Sequence, residues 1–248
     1  MNIIGDIGNS EVKICLVGEN LKIKKKIIIK TSEISKNKIE VKLKYFLKEK
    51  NNIKYIIFSS VVPNIYKKLS FFFRSKLNIN TKEIKKLKLD KLIDIRVNKK
   101  QVGSDRLANS IGAIDGKNNY IIIDFGTATT FDVIMKKKYL GGIISPGINL
   151  SLNTLVSKAS LIPEINLKKI SYVVGKNTNE AVRSGFYWGY AGLIDNMIKL
   201  IKRQTKSSFK IILTGGLADL YKNSINTKSV VDKDLTINGI IKITKNLL

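Results

Sequence analysis

Runs of apolar residues alternate along the chain with segments whose apolar positions recur every three or four residues. The runs predict strands, and the recurring positions predict helices that bury one face. Strands are predicted at 2–6, 11–17, 21–29, 54–62, 119–126, 129–135 and 210–216, and helices at 38–50, 64–77, 104–116, 177–203 and 234–247. Because the two kinds of element alternate, the pattern favours an α/β fold.

The pattern also contains an internal repeat. Residues 3–14 read IIGDIGNSEVKI and residues 121–133 read IIIDFGTATTFDV, so each copy is a strand, an Asp-x-Gly-[Asn/Thr] turn and a second strand. The two aspartates, Asp6 and Asp124, lie 118 positions apart in a chain of 248 residues. The repeat predicts two similar α/β halves that face each other, residues 1–117 and 118–248.

The composition adds a formal net charge of +26, carried by 40 lysines and only five arginines. Such a charge could indicate a nucleic-acid partner. The lysines are scattered, however, and isoleucine is equally frequent at 40, a combination typical of AT-rich coding DNA. We therefore interpret most of the lysines as a solvated surface and expect neither a nucleic-acid partner nor a recognition motif for one.

The absence of histidine and the single cysteine, Cys15, exclude several kinds of chemistry. No Ser-His-Asp or Cys-His nucleophile, internal disulfide or multi-cysteine zinc site can form. A proton acceptor must come from the 19 acidic residues or from a lysine or tyrosine with a shifted pKa. No apolar run could span a bilayer and the N-terminus lacks a signal-peptide pattern, so we expect a cytoplasmic protein without a membrane partner.

The two Asp-x-Gly turns are the first candidates for chemistry. Glycine allows the chain to reverse, and backbone amides with nearby hydroxyls and amides can then face a phosphate while the carboxylate holds a cation. The side chains in question are Asn9, Ser10, Thr127 and Thr129. The alternative is a pair of ordinary hairpin turns.

The segment VGSDRLANSIGA at 102–113 is the second candidate. Ser104 is expected to cap a helix, with Asp105 in its first turn. That arrangement occurs widely because the helix dipole favours an acidic residue there. The functional alternative is a carboxylate base, Asp105, beside an anion-binding Arg106.

Further glycines mark three other segments. Residues 140–155 are expected to form glycine-marked turns before a helix. Gly185, Gly189 and Gly192 fall on a predicted helix and suggest close helix packing, of which a contact between subunits is one form. Residues 213–219, LTGGLAD, predict a strand, a turn and a helix. Neither a P-loop nor a G-x-G-x-x-G fingerprint is present.

In order along the chain, these segments resemble the type III pantothenate kinases. The matching pieces are DIGNSEVK (6–13), SSVVP (59–63), GSDR (103–106), DFGTATT (124–130), GGIISPG (141–147), LIPEI (161–165), GKNTNEAVRSG (175–185) and TGG (214–216). The resemblance implies two ribonuclease-H-like halves facing a nucleotide cleft, as in the actin-like ATPase superfamily. It also implies ATP-dependent phosphorylation of pantothenate, Mg²⁺, a monovalent cation (potassium or ammonium) and a homodimer.

The resemblance assigns roles to individual residues. Asp105 would be the catalytic base and Asp6 would lie near Mg²⁺. Asp124 would bind the monovalent cation. The ATP contacts would be Asp6, Ile7, Gly8, Asn9, Ser10, Glu11, Val12, Lys13 and Thr127, and the pantothenate contacts would be Gly103, Ser104, Asp105, Arg106 and Thr178.

The sequence departs from the family at a few positions. Arg96 stands where a tyrosine is usual and Lys99 where a proline is usual, just before the Gly-x-Asp-Arg motif. Ser10 replaces the commoner threonine. A transcriptional activator that kept the fold without the activity is the alternative reading, and Asp105 argues against it because a regulator has no need of that carboxylate.

Overall fold

The computed structural model describes residues 1–247, with only the backbone described at Lys36. The chain divides into two compact units. The first comprises Met1–Ala113 and the C-terminal stretch that begins at Asp234, and the second comprises Ile114–Lys233. The expected division into 1–117 and 118–248 differs from this one at the C-terminus, where the last helix returns to the first unit. Residue 248 lies outside the described residues.

The elements alternate along the described chain as the apolar pattern predicts. The helices are α1 (Lys36–Lys48), α2 (Pro63–Leu77), α3 (Ser104–Ala113), α4 (Ile148–Lys158), α5 (Thr178–Thr205), α6 (Ala218–Tyr221) and α7 (Leu235–Lys245). The strands are β1 (Asn2–Ile7), β2 (Glu11–Val17), β3 (Ile23–Lys30), β4 (Tyr55–Ser60), β5 (Thr81–Glu83), β6 (Asp94–Ile95), β7 (Asn119–Phe125), β8 (Ala128–Met135), β9 (Lys138–Pro146), β10 (Lys210–Gly215) and β11 (Ser229–Val231). Short 3₁₀ turns cover Thr31–Glu33, Lys50–Asn52, Ile84–Lys86 and Lys99–Gln101.

The first unit is built on a sheet in the order β3-β2-β1-β4-β5. Its first three strands are antiparallel, whereas β1, β4 and β5 run parallel. On one face, α1 and α2 bury side chains such as Leu43 and Phe73 against Ile3 and Phe58. Because parallel strands end at one edge of a sheet, the residues that close β1, β4 and β5 lie along the same edge.

The last helix joins the first unit because α7 packs closely on α3. A Cβ atom at Gly239 would lie 1.9 Å from the carbonyl oxygen of Ala108, and one at Gly112 would lie 2.5 Å from that of Leu235. The two glycines thus let the helix backbones approach each other. The apolar side of α7, including Ile237 and Ile240, is fully buried.

The second unit repeats the topology of the first. Its strands lie in the order β11-β10-β7-β8-β9, with β7, β8 and β9 antiparallel and β7, β10 and β11 parallel. Its core packs Ile194 and Ile198 of α5 against Ile121 and Leu213 of the sheet. The repeat predicted from the two Asp-x-Gly segments is confirmed, since β1 and β7 occupy the same place in equivalent sheets.

One expectation about the glycine-containing segments is wrong, and a second is narrowed to packing between subunits. Residues 138–146 form β9 rather than turns, with Gly141 at φ +113° where the register with β8 shifts. On α5, apart from neighbouring residues and the helix's own backbone, no described atom lies within 4 Å of a Cβ built at Gly185, Gly189 or Gly192. These glycines therefore serve no close packing with other described elements, and packing between subunits stays a prediction. Within residues 1–247, no helix is both long and apolar enough to cross a bilayer.

Candidate active site

The turn between β1 and β2 is fixed by main-chain contacts. The Gly8 N–H donates to the carbonyl oxygen of Glu11 at 3.0 Å, which closes the turn. The Thr31 hydroxyl donates to the carbonyl oxygen of Gly8 at 2.7 Å. The polar side chains at the tip, Asn9 and Ser10, are exposed. A turn fixed in this way can present polar groups to a ligand with little reorganisation.

Asp6 lies near the end of β1, between its register partners Lys13 on β2 and Ser59 on β4. Register partners on neighbouring strands point to the same face, so the three side chains share one face of the sheet. Ser59 is fully buried, and its hydroxyl finds no hydrogen-bond partner among residues 1–247. A carboxylate beside a buried hydroxyl that still needs a partner suits a hydrated Mg²⁺ ion.

Asp105 lies in the first turn of α3 with its carboxylate folded back over the helix start. Its Oδ1 accepts the Arg106 N–H at 2.8 Å. A Cβ atom at Gly103 would lie 2.4 Å from the same oxygen, so any other residue there would displace the carboxylate. Glycine at 103 is therefore required by the position of Asp105.

The surroundings of Asp105 change its basicity. Burial raises the pKa of this carboxyl above the usual range of an aspartate, while the N–H and charge of Arg106 and the charge of Lys85 act in the opposite direction. A carboxylate with a raised pKa accepts a proton more readily than an exposed one. Asp105 is therefore the candidate base at the first turn of α3.

Ser104 does not cap α3 as the sequence suggests. Its hydroxyl donates to Oε1 of Glu83, the last residue of β5, and Ser104 itself is buried. Oε2 of Glu83 accepts the Lys85 N–H at 2.9 Å. Burial raises the pKa of Glu83, and the Ser104 hydrogen bond opposes that rise. Glu83 thus belongs to the surroundings of Asp105.

In the second unit, Asp124 is the penultimate residue of β7, the position that Asp6 has on β1. Its neighbour on β10 is Thr214, followed by Gly215 at φ +86°. A Cβ atom at Gly215 would lie 2.6 Å from both Oδ1 of Asp124 and the carbonyl oxygen of Phe125. The glycine therefore lets the end of β10 approach Asp124 and Phe125 closely, and a side chain there would displace the Asp124 carboxylate.

Thr127 lies in the exposed turn after β7. The Gly147 N–H donates to the Thr127 carbonyl oxygen at 3.1 Å, and a Cβ atom at Gly147 would lie 2.2 Å from that oxygen. The turn is therefore held against the start of α4. Thr129, the other candidate here, is fully buried, so its side chain is not available at the surface as expected.

Thr178 is the first residue of α5 and is exposed. The preceding Asn177 caps the helix by accepting the Glu180 N–H at 3.0 Å. Glu180 in turn accepts the N–H of Lys176, the residue before the cap, at 2.9 Å, which further fixes the start of the helix. The cap fixes where α5 begins and hence where Thr178 lies.

Arg96 and Lys99, the two residues that differ from the family pattern, each form contacts with nearby residues. Arg96 forms an ion pair with Asp94 at 2.6 Å. Lys99 begins a 3₁₀ turn and donates to the carbonyl oxygen of Leu87 at 3.3 Å. Proline is favoured at the first position of a helical turn because no N–H is needed there, and lysine can adopt the same backbone.

The site residues fall in both units. Asp6 and Gly103–Arg106 belong to the first, whereas Asp124, Thr127 and Thr178 belong to the second. In residues 1–247, no three His, Cys, Asp or Glu side chains cluster as a metal site. A cation bound here would depend on one carboxylate together with water, backbone oxygens or substrate oxygens, as Mg²⁺ does in many phosphoryl-transfer enzymes.

Two residues near the site were missed from the sequence. Ser59 belongs to a segment that read as a buried strand, and only its pairing with Asp6 reveals its place. Glu83 lies in the lysine-rich segment 82–91, which read as a solvated surface. Its partner Ser104 is far along the chain, so no local pattern could identify the contact.

Comparison with known proteins was consistent with this geometry. A sequence model of the family described as type III pantothenate kinase matches residues 2–200. The type III pantothenate kinase of Pelagibacter ubique (strain HTCC1062) is 53% identical over 244 residues, which cover 98% of each chain.

Solved structures resemble the fold. A Campylobacter jejuni protein provisionally described as a Baf family transcriptional activator has a TM-score of 0.62 at 21% identity, covering 99% of this chain and 98% of that one. A Sinorhizobium meliloti protein provisionally described as a 2-dehydro-3-deoxygalactonokinase has a TM-score of 0.60 at 9% identity, covering 100% and 99%. At these identities the likeness shows the fold alone, the α/β fold of sugar kinases and actin-like ATPases. From the family match and the 53% identical relative, we conclude that the chain belongs to the type III pantothenate kinase family.

Proposed function

We propose that this protein transfers the γ-phosphoryl group of ATP to the primary hydroxyl of pantothenate, giving 4′-phosphopantothenate for coenzyme A biosynthesis. The observation that carries the proposal is the Asp105 carboxylate, folded over Gly103 at the start of α3 with its pKa raised by burial. Phosphoryl transfer needs positioning and charge neutralisation more than covalent catalysis, so a chain without histidine can perform it.

Asp105 accepts the proton of the pantothenate hydroxyl while the hydroxyl oxygen attacks the γ-phosphorus. The bond from that phosphorus to the β–γ bridging oxygen breaks, and ADP leaves. Residues 103–106 and Thr178 hold pantothenate, and the charge of Arg106 acts on the base. Residues 6–13 and Thr127 contact ATP.

The proposed reaction also needs two bound cations, one at Asp6 and one at Asp124. Asp6, with the Ser59 hydroxyl beside it, would hold hydrated Mg²⁺, and Asp124, next to Gly215, would hold potassium or ammonium. When bound, these ions offset the charge of the triphosphate. The residues of this chain then need only orient the two substrates and remove one proton.

We also propose a cytoplasmic homodimer, formed through the second unit. Six of its large apolar side chains between residues 144 and 174 are exposed, among them Leu161 and Val174 at 89% and 83%. The open glycine face of α5 is a further surface on which a second copy could pack closely. No nucleic-acid or membrane partner is proposed.

The test is a coupled ADP-release assay with pantothenate, ATP, Mg²⁺ and potassium. We expect pantothenate-dependent ADP release that requires the monovalent cation. Replacement of Asp105 by asparagine keeps the size of the side chain and should lower kcat by at least about 100-fold, the scale of losing a general base. Wild-type protein that stays inactive with both potassium and ammonium would refute the proposal.

A further inference from the structure

The contact between Glu83 and Ser104 joins two residues that are 21 positions apart in sequence but adjacent in the first unit. Glu83 ends β5 at the edge of the sheet, and Ser104 is the first residue of α3. Ser104 is 1% exposed, so its hydroxyl has no bulk water with which to replace the carboxylate. The hydrogen bond is therefore a fixed part of the helix start.

A second contact ties the same two segments together. The Lys85 side chain donates through Nζ to the carbonyl oxygen of Lys100 at 3.0 Å. Glu83 also fixes Lys85, because its Oε2 accepts the Lys85 N–H. The approach to α3, residues 100–104, is thus held to the turn at 83–85 at both of its ends.

The position of Asp105 depends on this approach. Its carboxylate is folded back over Gly103 and bound to the Arg106 N–H, so a small rotation of the first turn would move it. Glu83 bonds to Ser104, the residue before Asp105, and this bond fixes the start of the helix that carries the carboxylate. An influence of Glu83 on Asp105 would accordingly be one of geometry.

We propose that Glu83 is a positioning residue, which acts through the Ser104 hydroxyl to hold the Asp105 carboxylate where it can accept the substrate proton. The inference rests on the assignment of Asp105 as the base under the proposed function. The two carboxylate oxygens of Glu83 accept from the Ser104 hydroxyl and the Lys85 N–H, so its proposed effect on the base runs through Ser104.

The test compares Glu83→Ala, Ser104→Ala, their double variant and Glu83→Gln in steady-state kinetics. We expect each alanine variant to lose about 10-fold or more in kcat, as a displaced catalytic group does, with the KM for ATP within about twofold of wild type. The double variant should lose no more than either single one, because both remove one hydrogen bond. Glu83→Gln should retain most of kcat, since the amide oxygen can still accept from Ser104.

Ser110→Ala is the matched control. Ser110 is a buried serine of the same helix, and its hydroxyl donates to the carbonyl oxygen of Arg106 at 2.7 Å, away from Glu83. We expect this variant to change thermal stability but not kcat. A loss of kcat as large as that of Ser104→Ala would show a general effect on α3 and would overturn the proposal.

Further results would also overturn it. If Ser104→Ala keeps the wild-type kcat, the proposal is overturned, even where Glu83→Ala fails to fold. The proposal is also overturned if the two single losses of kcat add up in the double variant. Asp105→Asn, assayed in parallel, distinguishes a failure of the Glu83 assignment from a failure of the Asp105 assignment. If it loses kcat while the alanine variants do not, only the role of Glu83 fails; if it keeps kcat, the base assignment fails and the role of Glu83 with it.

Discussion

At the residue scale, two glycines are explained by the carboxylates they accommodate. Gly103 leaves room for Asp105, its near neighbour, and Gly215 leaves room for Asp124, which is distant in sequence. The motif around 103 could be read from the sequence because both partners lie within three positions. The second pairing could not, because it depends on β7 lying beside β10.

Gly215→Ala tests that second pairing. The positive φ and the close approach to Asp124 lead us to expect a loss of about 1–3 kcal/mol in the free energy of unfolding, with weaker activation by potassium. Gly216→Ala is the control, because nothing lies within 4 Å of its Cβ. Urea denaturation and potassium titration of activity are the measurements. Equal changes of the two variants in the free energy of unfolding and in activation by potassium would contradict the close approach of Gly215 to Asp124.

The buried carboxyl of Glu83 should make the stability of the fold depend on pH. Burial raises its pKa in the folded state, so the folded protein binds this proton more tightly than the unfolded chain, and stability is lost as pH rises through the folded pKa. Glu83→Gln removes that loss, so its stability relative to wild type should increase from about pH 4 to pH 7.

The control for this prediction is Glu33→Gln. Its hydrogen bond to Lys38 lowers the pKa of Glu33, so the wild-type residue stabilises the fold above the unfolded pKa and ceases to do so as pH falls. The stability of this variant relative to wild type should therefore decrease over the same range. Thermal melts at several pH values measure both trends, and trends of the same sign would contradict the assignment.

At the element scale, the sequence predicted the long elements well because their apolar patterns are uninterrupted. β1, β2, β4, β7 and β10 coincide closely with the predicted strands, and α2, α5 and α7 with predicted helices. β9 was missed because Gly141 and Gly142 read as turn residues. Pairing with β8 keeps that segment extended despite its glycines.

The packing of α7 on α3 could not be predicted, since the segment 234–247 carries no signal of which half it joins. Gly239→Ala tests this contact. A methyl group 1.9 Å from the Ala108 carbonyl oxygen must push the helices apart, so we expect a loss of about 1–3 kcal/mol in the free energy of unfolding. Chemical denaturation measures it, and an unchanged or higher value would contradict the close crossing.

At the scale of the whole molecule, the two units share one strand order, with Asp6 and Asp124 near the ends of equivalent strands. The sequence revealed this repeat because both copies keep the Asp-x-Gly turn. The charge of +26 was less informative, since scattered lysines say little about any one surface.

The dimer is the prediction that belongs to this scale. Wild-type protein should have twice the chain mass of 27.8 kDa by light scattering. Gly189→Leu should weaken the dimer because it fills the open face of α5, whereas Lys68→Leu on the exposed side of α2 should not. A monomeric wild type, or a Gly189→Leu variant that dimerises as well as wild type, would contradict this assignment.

The central claim is that this chain phosphorylates pantothenate with Asp105 as its base. The most direct measurement is ADP release with ATP, Mg²⁺ and potassium, with and without pantothenate, on wild type and Asp105→Asn. The account predicts pantothenate-dependent release that requires potassium or ammonium and falls at least about 100-fold in the variant. Equal release by the two proteins, or no release by a folded wild type, would contradict it.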